Sequence, residues 1–446
     1  MSDQATITTA GSDIKSAKWN KADTEWVLSL FGTAVGAGVL FLPIKAGLGG
    51  FWPLVFLALI AGPMTWFAHR SLARFVLSSK NKDSDITDVV EEHFGKGAAK
   101  LITFAYFFAI YPIVLIYGVG ITNTFESFIV NQLDIFTEVP RLAADGAPML
   151  NEAGAQIMDK VSGIPRWILS GGLILAMTAL ILFGKELMLK ATSALVYPLV
   201  FILLGLSLFL IPSWNTSMVE VAPDWGSFIP VVWLSIPIIV FSFNHSPVIS
   251  QFAKAQRESY GENAVQKTDL ICKRAGQMLL GFVMLFVFSC VLSLSPAELA
   301  QAKAENISIL SYLANVHESK LIQWFGPFVA FAAITSSYFG HYLGAQEGLN
   351  GLVKQAVPSM PAKSINTFSV VFIVVTTWIV AIVNPSVLGL IETIGAPMIA
   401  AILFLMPMYA IKKVPAMQKY SSNKAANIFT VICGLGAISS VIYGAF

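Results

Sequence analysis

The chain has 446 residues, of which 56% are hydrophobic and 12% are charged. No water-soluble globular surface accommodates this balance over such a length, which excludes a soluble protein and indicates a chain that lies in lipid. The net charge of +2 gives no sign of a nucleic-acid partner, and the three cysteines lack CxxC spacing, so we expect no resident cofactor or metal cluster.

The first 22 residues form a polar segment that we interpret as a retained cytoplasmic tail, because no signal-peptide cleavage site follows it. Residues 23–446 are predicted to form a single transmembrane domain. A bilayer core requires about 20 apolar residues per helix. The sequence therefore predicts an all-α integral membrane protein with 11 transmembrane helices, near residues 24–48, 51–77, 98–128, 166–184, 187–211, 228–252, 270–294, 321–345, 367–383, 386–410 and 425–445.

The charged residues of the loops predict the orientation of these spans. Lysine and arginine are enriched in short cytoplasmic loops. One set of alternate loops carries most of the basic residues, among them Arg70, Arg74, Lys273 and Lys412, whereas the other set is mainly acidic. We therefore expect a cytoplasmic amino terminus and a periplasmic carboxyl terminus.

Two segments outside the spans have a local pattern. The loop at 131–165 has a Pro, Gly and Asp content typical of irregular structure or a short helical excursion. The stretch at 83–94 contains Asp85 and Asp88, followed by apolar residues at helical spacing, which predicts a short interfacial helix.

Two spans contain mid-membrane interruptions. Gly32 to Gly38 places three glycines among seven residues of the first span, and Phe241 to Pro247 places polar groups and a proline in the sixth. Unwound backbone is tolerated at this depth only where protein or a water-filled cavity solvates it. The breaks lie five spans apart, which is typical of an inverted repeat whose interface forms a transporter's binding site. Close helix packing is the alternative reading of the glycines.

This geometry predicts a site for an amino acid. Amides freed at the start of a half-helix suit a carboxylate, and carbonyls freed at the end of another suit an ammonium group or a cation. The repeats are expected at about 24–211 and 228–410, with an extra helix at about 425–445.

The residues also carry a family resemblance. GTAVGAGVLFLPIKAG in the first span, VFSFNHSP in the sixth and FGHYLGAQEG in the eighth resemble the bacterial hydroxy and aromatic amino acid permease family, and within it the serine-transporting members. The resemblance implies a LeuT-like fold of the amino acid, polyamine and organocation superfamily in the bacterial inner membrane. It also implies symport of L-serine, with L-threonine as an alternative, together with a cation that is usually a proton.

Carried over by motif, eight residues form the implied substrate site: the amides of Gly36, Ala37 and Gly38 for the carboxylate, carbonyls near Thr33, Phe241 and Ser242 for the ammonium, and Asn244 and His245 as cavity lining. Tyr111, Tyr117 and Phe243 are further aromatic candidates for closing the cavity, although packing is their commoner role.

The coupling ion has two candidates. Thr335, Ser336 and Ser337 are adjacent hydroxyls that, with carbonyls of Gly32 and Val35, offer the oxygen ligands that a sodium ion requires; LeuT-like sodium symporters use such a cage. Bonds back to their own helix are the ordinary alternative for such hydroxyls. Some family members carry a lysine at the position of Ser336, so the serine here leaves both proton and sodium coupling open.

Ionisable residues at bilayer depth need a reason, because burying a charge in lipid is costly. His245 is a candidate for a substrate or proton role, whereas packing is favoured for His341. Glu392 is expected to be a buried acid whose pKa is raised by desolvation, with proton transfer and structural hydrogen bonding as its two readings. Glu126 is expected at the outer surface without a special role.

Other classes of protein fit less well. A channel requires a continuous polar pore, and an enzyme requires a nucleophile with a base or a metal cluster, whereas no HExxH, GxSxG or paired-carboxylate motif occurs, so we expect no enzyme. An amino acid sensor that binds without concentrating its ligand stays open, and the oligomeric state is not predicted.

Overall fold

The computed structural model describes residues 18–141, 148–150, 155–183, 185–216, 218–220 and 224–444. Most of the predicted amino-terminal tail therefore lies outside the described residues. Within them the chain is helical apart from one small hairpin. The helices are α1 Lys21–Ala34, α2 Ala37–Leu48, α3 Phe51–Val76, α4 Ile86–Asn131, α5 Arg166–Leu182, α6 Lys185–Phe209, α7 Trp225–Ser242, α8 Ile249–Tyr260, α9 Ala264–Ser293, α10 Pro296–Ala304, α11 Ile309–Val316, α12 Lys320–Ala356, α13 Ala362–Val383, α14 Val387–Leu390, α15 Ala396–Ile399, α16 Met406–Lys413, α17 Pro415–Gln418 and α18 Lys424–Gly444.

The segment from α14 to α16 is one continuous helix, Val387–Lys413. Two wider π-helical turns, at Ile391–Gly395 and Ala400–Leu405, connect its α-helical parts. Such turns are rare and insert an extra residue into the helix, which shifts the face that the following side chains present.

Seven helical stretches of the described residues are long and apolar enough to cross a membrane, or eight if α1 and α2 form one bent span. An all-helical integral membrane protein is therefore confirmed, whereas the count of eleven spans stays a prediction. One of the seven, Trp225–Ser293, contains three of our helices, and α5 is an apolar helix of only 17 residues. The long α12 buries polar side chains against the rest of the protein, so its composition is not that of a lipid-facing span.

Both predicted helix breaks are present. Helix α1 ends at Ala34 and α2 begins at Ala37, with a bend of 55° between them. Helix α7 ends at Ser242, and α8 begins at Ile249 after a turn at Ser246–Val248. Proline disfavours continuation of the preceding helix, and Oδ1 of Asn244 accepts the backbone N–H of Ser246 at the start of this turn, at 3.0 Å.

The predicted irregular or helical structure of the loop at 131–165 is wrong for its ends. Strands β1 Phe136–Pro140 and β2 Met158–Ser162 form an antiparallel hairpin in which Phe136 pairs with Ser162. Ladder bonds and the Arg141–Asp159 ion pair at 2.5 Å join the strands. The Arg141 guanidinium holds the pKa of Asp159 below its ordinary value by hydrogen bonding to the carboxylate. We call this side of the molecule the hairpin end.

The predicted short helix is confirmed as the first part of α4, whereas its position at the membrane interface stays a prediction. Asp85 caps it by accepting the backbone N–H groups of Thr87 and Asp88, and Asp88 reaches back to the N–H of Asp85. Gly95, at φ 79°, separates this part from the long helix that follows, a backbone conformation that favours glycine. We call the side of the molecule that carries this helix the basic end, because Arg70, Arg74 and Lys273 also lie there.

Helix α12 is packed closely on its neighbours through three glycines. Gly340, Gly344 and Gly348 recur every fourth residue and thus lie on one face of the helix. A Cβ atom added at these positions would lie 2.9 Å from the side chain of Thr33, 2.9 Å from Cβ of Pro247 and 3.1 Å from Cα of Phe107. This glycine face brings α12 against α1, the second break and α4 at the same time.

A buried ion pair fixes the start of α1 to α9. Nζ of Lys267 lies 2.6 Å from Oδ2 of Asp23, and the two side chains are 2% and 1% exposed. The hydroxyl of Tyr260, at the end of α8, donates to Oδ1 of Asp23 at 2.5 Å. The first half of one broken helix and the second half of the other are thereby joined at the basic end.

Candidate functional site

The two helix breaks lie against each other in the protein interior. A Cβ atom at Gly38 would lie 2.5 Å from Cδ1 of Phe241 and 3.0 Å from Cα of Ser242. At Gly36 it would lie 2.5 Å from Cβ of Ser337 and 2.9 Å from the hydroxyl of Tyr117. The substrate-site residues that the sequence placed in different spans are therefore neighbours, and α4 and α12 complete their surroundings.

The start of α2 offers free amides, as the sequence predicts. Gly36 precedes the helix and provides no side-chain cap, and the first bond across this end is from the N–H of Leu40 to the carbonyl of Gly36. The first amides of a helix have no intrahelical partner. The N–H groups of Ala37 and Gly38 are therefore directed at the break, where the helix dipole favours a negative group.

The carbonyl side of the site is partly engaged within the protein. The Thr33 carbonyl accepts the Ser337 hydroxyl at 2.5 Å, and the Phe241 carbonyl accepts the N–H of Asn244 at 3.2 Å. A carbonyl oxygen has two lone pairs, so the Thr33 carbonyl retains one acceptor position. The Phe241 carbonyl also accepts the N–H of Phe243. Of the three carbonyls assigned to the ammonium, that of Thr33 is thus held in place by a bond that leaves room for a second donor.

The second break contains buried polar atoms without a hydrogen-bond partner in the described part of the chain. They are the hydroxyl of Ser242, Nδ2 of Asn244 and both ring nitrogens of His245. These side chains are at most 1% exposed. Buried polar groups in native proteins are nearly always paired, so a ligand or water is the expected partner of this group.

One residue of this region is absent from the sequence prediction. His69 of α3 accepts the backbone N–H of His245 on Nε2 at 3.0 Å, and the two rings stack with centroids 3.5 Å apart. A histidine within an otherwise apolar span was the available signal. The spacing along the chain gave no indication that its partner lies 176 residues away.

The hydroxyls proposed for ion binding separate into two groups. Ser336 lies 3.5 Å from the Gly32 carbonyl and Ser337 bonds both Thr33 and the Tyr117 hydroxyl, the latter at 2.7 Å. The expectation that Thr335 joins them is wrong, because its hydroxyl is directed at the sulfur of Met177 on α5 at 3.8 Å. Successive residues of a helix point about 100° apart, which accounts for the separation.

Ser336 also donates to the carbonyl of Ala333 on its own helix at 3.1 Å, which is the ordinary role of such a hydroxyl. The Val35 carbonyl lies at the first break, next to the Gly32 and Thr33 carbonyls in sequence. A sodium site at the oxygens of Gly32, Val35, Ser336 and Ser337 therefore stays a prediction, and Ser337 is already hydrogen-bonded.

The expectation of a buried Glu392 is wrong, because this side chain is partly exposed. This carboxylate lies on the first π-helical turn, 2.9 Å from Nζ of Lys45 near the end of α2, and the two side chains are 29% and 23% exposed. The carboxylate therefore has a counter-ion and partial access to solvent. Glu392 therefore ties the first broken helix to the Val387–Lys413 helix.

Two other predicted ionisable residues have structural partners. Nδ1 of His341 lies 2.9 Å from the carbonyl of Ser337 on its own helix, and its ring meets Tyr117 edge-on at 5.1 Å. Glu126 forms an ion pair with Arg166 at the start of α5. Of the aromatic candidates, Tyr117 and Phe243 are at the breaks, whereas Tyr111 stacks on Phe107 at 4.7 Å.

A cavity of about 750 Å³ opens at the basic end between α4 and α12. Its walls include Asp85, Glu347 and Lys354, and Glu347 accepts hydrogen bonds from Tyr106 and Ser250, each at 3.2 Å. None of the predicted site residues lines this cavity. It lies beside α8 and is distinct from the break region.

Apolar helices, two of them interrupted at matching places and crossing in the interior, define a multi-pass membrane protein with discontinuous helices. Residues 25–144 match the tryptophan/tyrosine permease family. The serine transporters SdaC of Escherichia coli K12 and O157:H7 and of Shigella flexneri are each 52% identical over 451 aligned positions, which cover 99% of this chain and 99% of each relative. The chain therefore belongs to the hydroxy and aromatic amino acid permease family, in the subgroup that contains these relatives.

Proposed function

We propose that this protein is a secondary active transporter that imports L-serine together with a proton, through alternating access to the region where its two helix breaks meet. The observation that carries the proposal is the group of unpartnered polar atoms on Ser242, Asn244 and His245 opposite the free amides of α2. The relatives named serine transporters support the substrate. A LeuT-like arrangement of 5+5 inverted repeats with 11 spans accounts for the paired breaks.

The proposed pose uses both charges of the amino acid. The carboxylate binds the amides of Gly36, Ala37 and Gly38, and the ammonium binds the carbonyls of Thr33 and Phe241. The substrate hydroxyl then faces Asn244, whose Nδ2 is an available donor. A site that hydrogen-bonds a substrate hydroxyl discriminates strongly against analogues that lack it, so alanine should be excluded better than threonine.

A sodium ion is the second candidate for coupling. The Ser336 hydroxyl lies 3.5 Å from the Gly32 carbonyl, and the adjacent Ser337 hydroxyl donates to the Thr33 carbonyl. Position 336 is serine, so it brings no charged side chain to this group. Sodium coupling predicts loss of gradient-driven uptake in Ser336→Ala.

Uptake of radiolabelled L-serine into proteoliposomes tests the proposal. The internal concentration of serine is compared under an imposed proton gradient, an imposed sodium gradient and no gradient, with unlabelled threonine and alanine as competitors. Accumulation driven by the proton gradient alone supports the proposed symport, and accumulation that requires sodium supports the second candidate. Serine binding without accumulation under any gradient contradicts both and leaves a sensor.

We place the protein in the bacterial inner membrane, with its amino terminus in the cytoplasm and its carboxyl terminus in the periplasm. The basic residues at the basic end support this orientation. The hairpin end then faces the periplasm, from which serine enters.

A further inference from the structure

His69 and His245 form a buried pair at the second helix break. Their side chains are 1% and 0% exposed, and their rings stack at 3.5 Å with an angle of 16° between the planes. The backbone N–H of His245 donates to Nε2 of His69 at 3.0 Å. A side chain of α3, which is an unbroken helix, therefore holds an amide that the break in the sixth predicted span has freed.

The hydrogen bonds assign the protonation state of His69. Nδ1 lies 2.8 Å from the carbonyl oxygen of Thr65, which only accepts, so Nδ1 carries a hydrogen. Nε2 receives the N–H of His245 and therefore carries a lone pair. His69 is thus neutral with its hydrogen on Nδ1, and Nε2 is the one ring position left for a further proton.

A proton on Nε2 removes the contact that holds the break. It replaces an acceptor with a donor that faces the donating N–H of His245, and it places a cation against the second ring. Neither ring nitrogen of His245 has a hydrogen-bond partner among the described residues, and the ring is held by its stacking on His69. Protonation of His69 therefore releases the backbone at His245, which belongs to the proposed substrate site.

We propose that His69 is a proton-responsive latch for the second helix break. With Nε2 unprotonated, His69 holds the amide of His245; with Nε2 protonated, the amide is released and the substrate site changes shape. The proton arrives from one side of the membrane and forms an N–H bond with the lone pair of Nε2; that bond breaks again when the proton leaves to the other side. This inference rests on the proposed function, because the latch is the element through which proton binding and serine binding bias each other.

Other titratable groups lie on α3 and on the helices packed against it. His245 is the titratable side chain in contact with His69. On α3, Arg70 lies over the rings of Trp66 and Phe67 at 4.6 and 4.8 Å. From the helices packed on α3, the charged or titratable groups include Asp269 of α9, which is paired with Arg74, Lys273 of α9, which lies over Trp66 at 5.2 Å, and Cys272 of α9, which is buried. They also include Arg257 of α8, which donates to the carbonyls of Leu77 and Ser79, His93 of α4, whose ring meets Phe75 at 5.7 Å, and Lys45 of α2, which is paired with Glu392. Lys254 of α8, Cys433 of α18, and Tyr409, Lys412 and Lys413 of α16 lie on further helices packed on α3.

The substitution His69→Gln separates two properties of residue 69, its acceptance of a hydrogen bond and its titration. The glutamine amide oxygen reaches the place of Nε2 and accepts the N–H of His245, but it does not titrate, whereas leucine removes both properties. His317→Gln, at the hairpin end between α11 and α12, is the matched control. Proteoliposome assays then compare serine counterflow, which needs binding and translocation only, with accumulation under a proton gradient.

We expect His69→Gln to retain counterflow within about twofold of the unaltered protein and to accumulate serine about tenfold less or worse. His69→Leu should lose both activities, and His317→Gln should lose neither. The latch is overturned if the unaltered protein accumulates serine and His69→Gln accumulates it to the same level, with the same pH profile. Failure of the unaltered protein to accumulate serine counts against the proposed function instead.

Equilibrium binding of serine tests the latch proposal without a transport measurement. Labelled serine is titrated onto the purified protein between about pH 5 and pH 8, the range in which histidine changes charge. The latch predicts that affinity depends on pH in the unaltered protein and not in His69→Gln; the same dependence in both overturns it. If His69→Gln does not fold, proton release or uptake by the unaltered protein on serine binding, measured in weakly buffered solution, replaces this comparison, and the absence of any exchange overturns the latch.

Discussion

At the scale of single residues, the closest contact between the breaks is made possible by a missing side chain. Gly38 faces the ring of Phe241 and the backbone of Ser242, and the backbone atom cannot move aside as a flexible side chain would. The amide of Gly38 is also assigned to the substrate. The close packing of the two breaks and the proposed binding of the substrate carboxylate therefore both depend on Gly38.

Gly38→Ala is expected to abolish serine binding and to lower the thermal unfolding midpoint. The added Cβ would lie 2.5 Å from Phe241, which forces the breaks apart. Gly281→Ala is the matched control, because nothing lies within 4 Å of a Cβ there and alanine favours a helix by up to about 1 kcal/mol. Binding of labelled serine and thermal unfolding in detergent measure both effects; unimpaired binding in Gly38→Ala would remove this residue from the site.

Glu392→Gln is expected to retain proton-driven accumulation of serine. The carboxylate is partly exposed and paired with Lys45, and ion pairs of this exposure contribute about 1 kcal/mol or less to stability. A pair of this kind holds two helices together but has no isolated acid to carry a proton. Uptake in proteoliposomes with the exchanged pair, Lys45→Glu with Glu392→Lys, serves as the control; loss of accumulation in Glu392→Gln alone, with counterflow intact, would restore the proton-carrier role.

The sequence predicted those site residues that share a local motif and missed those that depend on tertiary pairing. Gly36 and Asn244 were found because glycine and a polar run interrupt apolar spans. Lys45 and His69 were missed, since their partners lie far away along the chain and no local pattern records a contact. The wrong expectation for Glu392 has the same origin, because the burial of an acid and the presence of its counter-ion are both tertiary properties.

At the scale of elements, the ends of the broken helices are fixed by charge at the basic end. Asp23 and Lys267 are buried, and breaking a buried pair by removing one partner costs about 3 to 5 kcal/mol because the other charge is left without compensation. The pair holds the first half of the broken helix α1–α2 on α9. Its loss should therefore affect the position of one half-helix more than the fold as a whole.

Lys267→Met is expected to lower the thermal unfolding midpoint and to increase proteolysis near residue 20. The double variant Asp23→Asn with Lys267→Met should recover a large part of the loss, because it removes the unpaired charge as well. Thermal unfolding and limited proteolysis of the purified protein measure this. Equal midpoints for the single and double variants would mean that the ion pair contributes nothing beyond packing.

Helix breaks and the short helix at the start of α4 were predictable because glycine, proline and capping residues act locally. The hairpin was not predicted, since its strands are short, exposed and joined by a long connection, and ladder bonds rather than composition define them. The π-helical turns in Val387–Lys413 leave no mark in hydropathy and were not predicted either. Registers and turns within an apolar helix are set by packing against neighbours.

At the scale of the whole molecule, the orientation across the membrane can be tested with two exposed residues, one at the hairpin end and one at the basic end. Glu138 is an exposed residue of β1 at the hairpin end, and Lys363 is an exposed residue at the start of α13. Position 363 adjoins the cavity at the basic end, whose walls include Ala362. The three native cysteines are buried, so the unaltered protein gives a low background.

In intact cells, Glu138→Cys is expected to react with a membrane-impermeant maleimide, whereas Lys363→Cys should react only after the membrane is permeabilised. The reason is that lysine and arginine accumulate on the cytoplasmic side, which assigns the hairpin end to the periplasm. Labelling is read as a mass shift of the purified protein. The reverse pattern would invert the predicted orientation and with it the direction assigned to import.

The glycine face of α12 has a further consequence for how the molecule moves. Interlocked side chains must change rotamer before two helices can slide past each other, and each such change adds a barrier. Gly340, Gly344 and Gly348 have no rotamers, so along this face α12 meets its neighbours as a smooth surface. The barrier to sliding along this face is then low, and the rate at which α12 tilts is set by the breaking of a few polar contacts rather than by repacking of side chains.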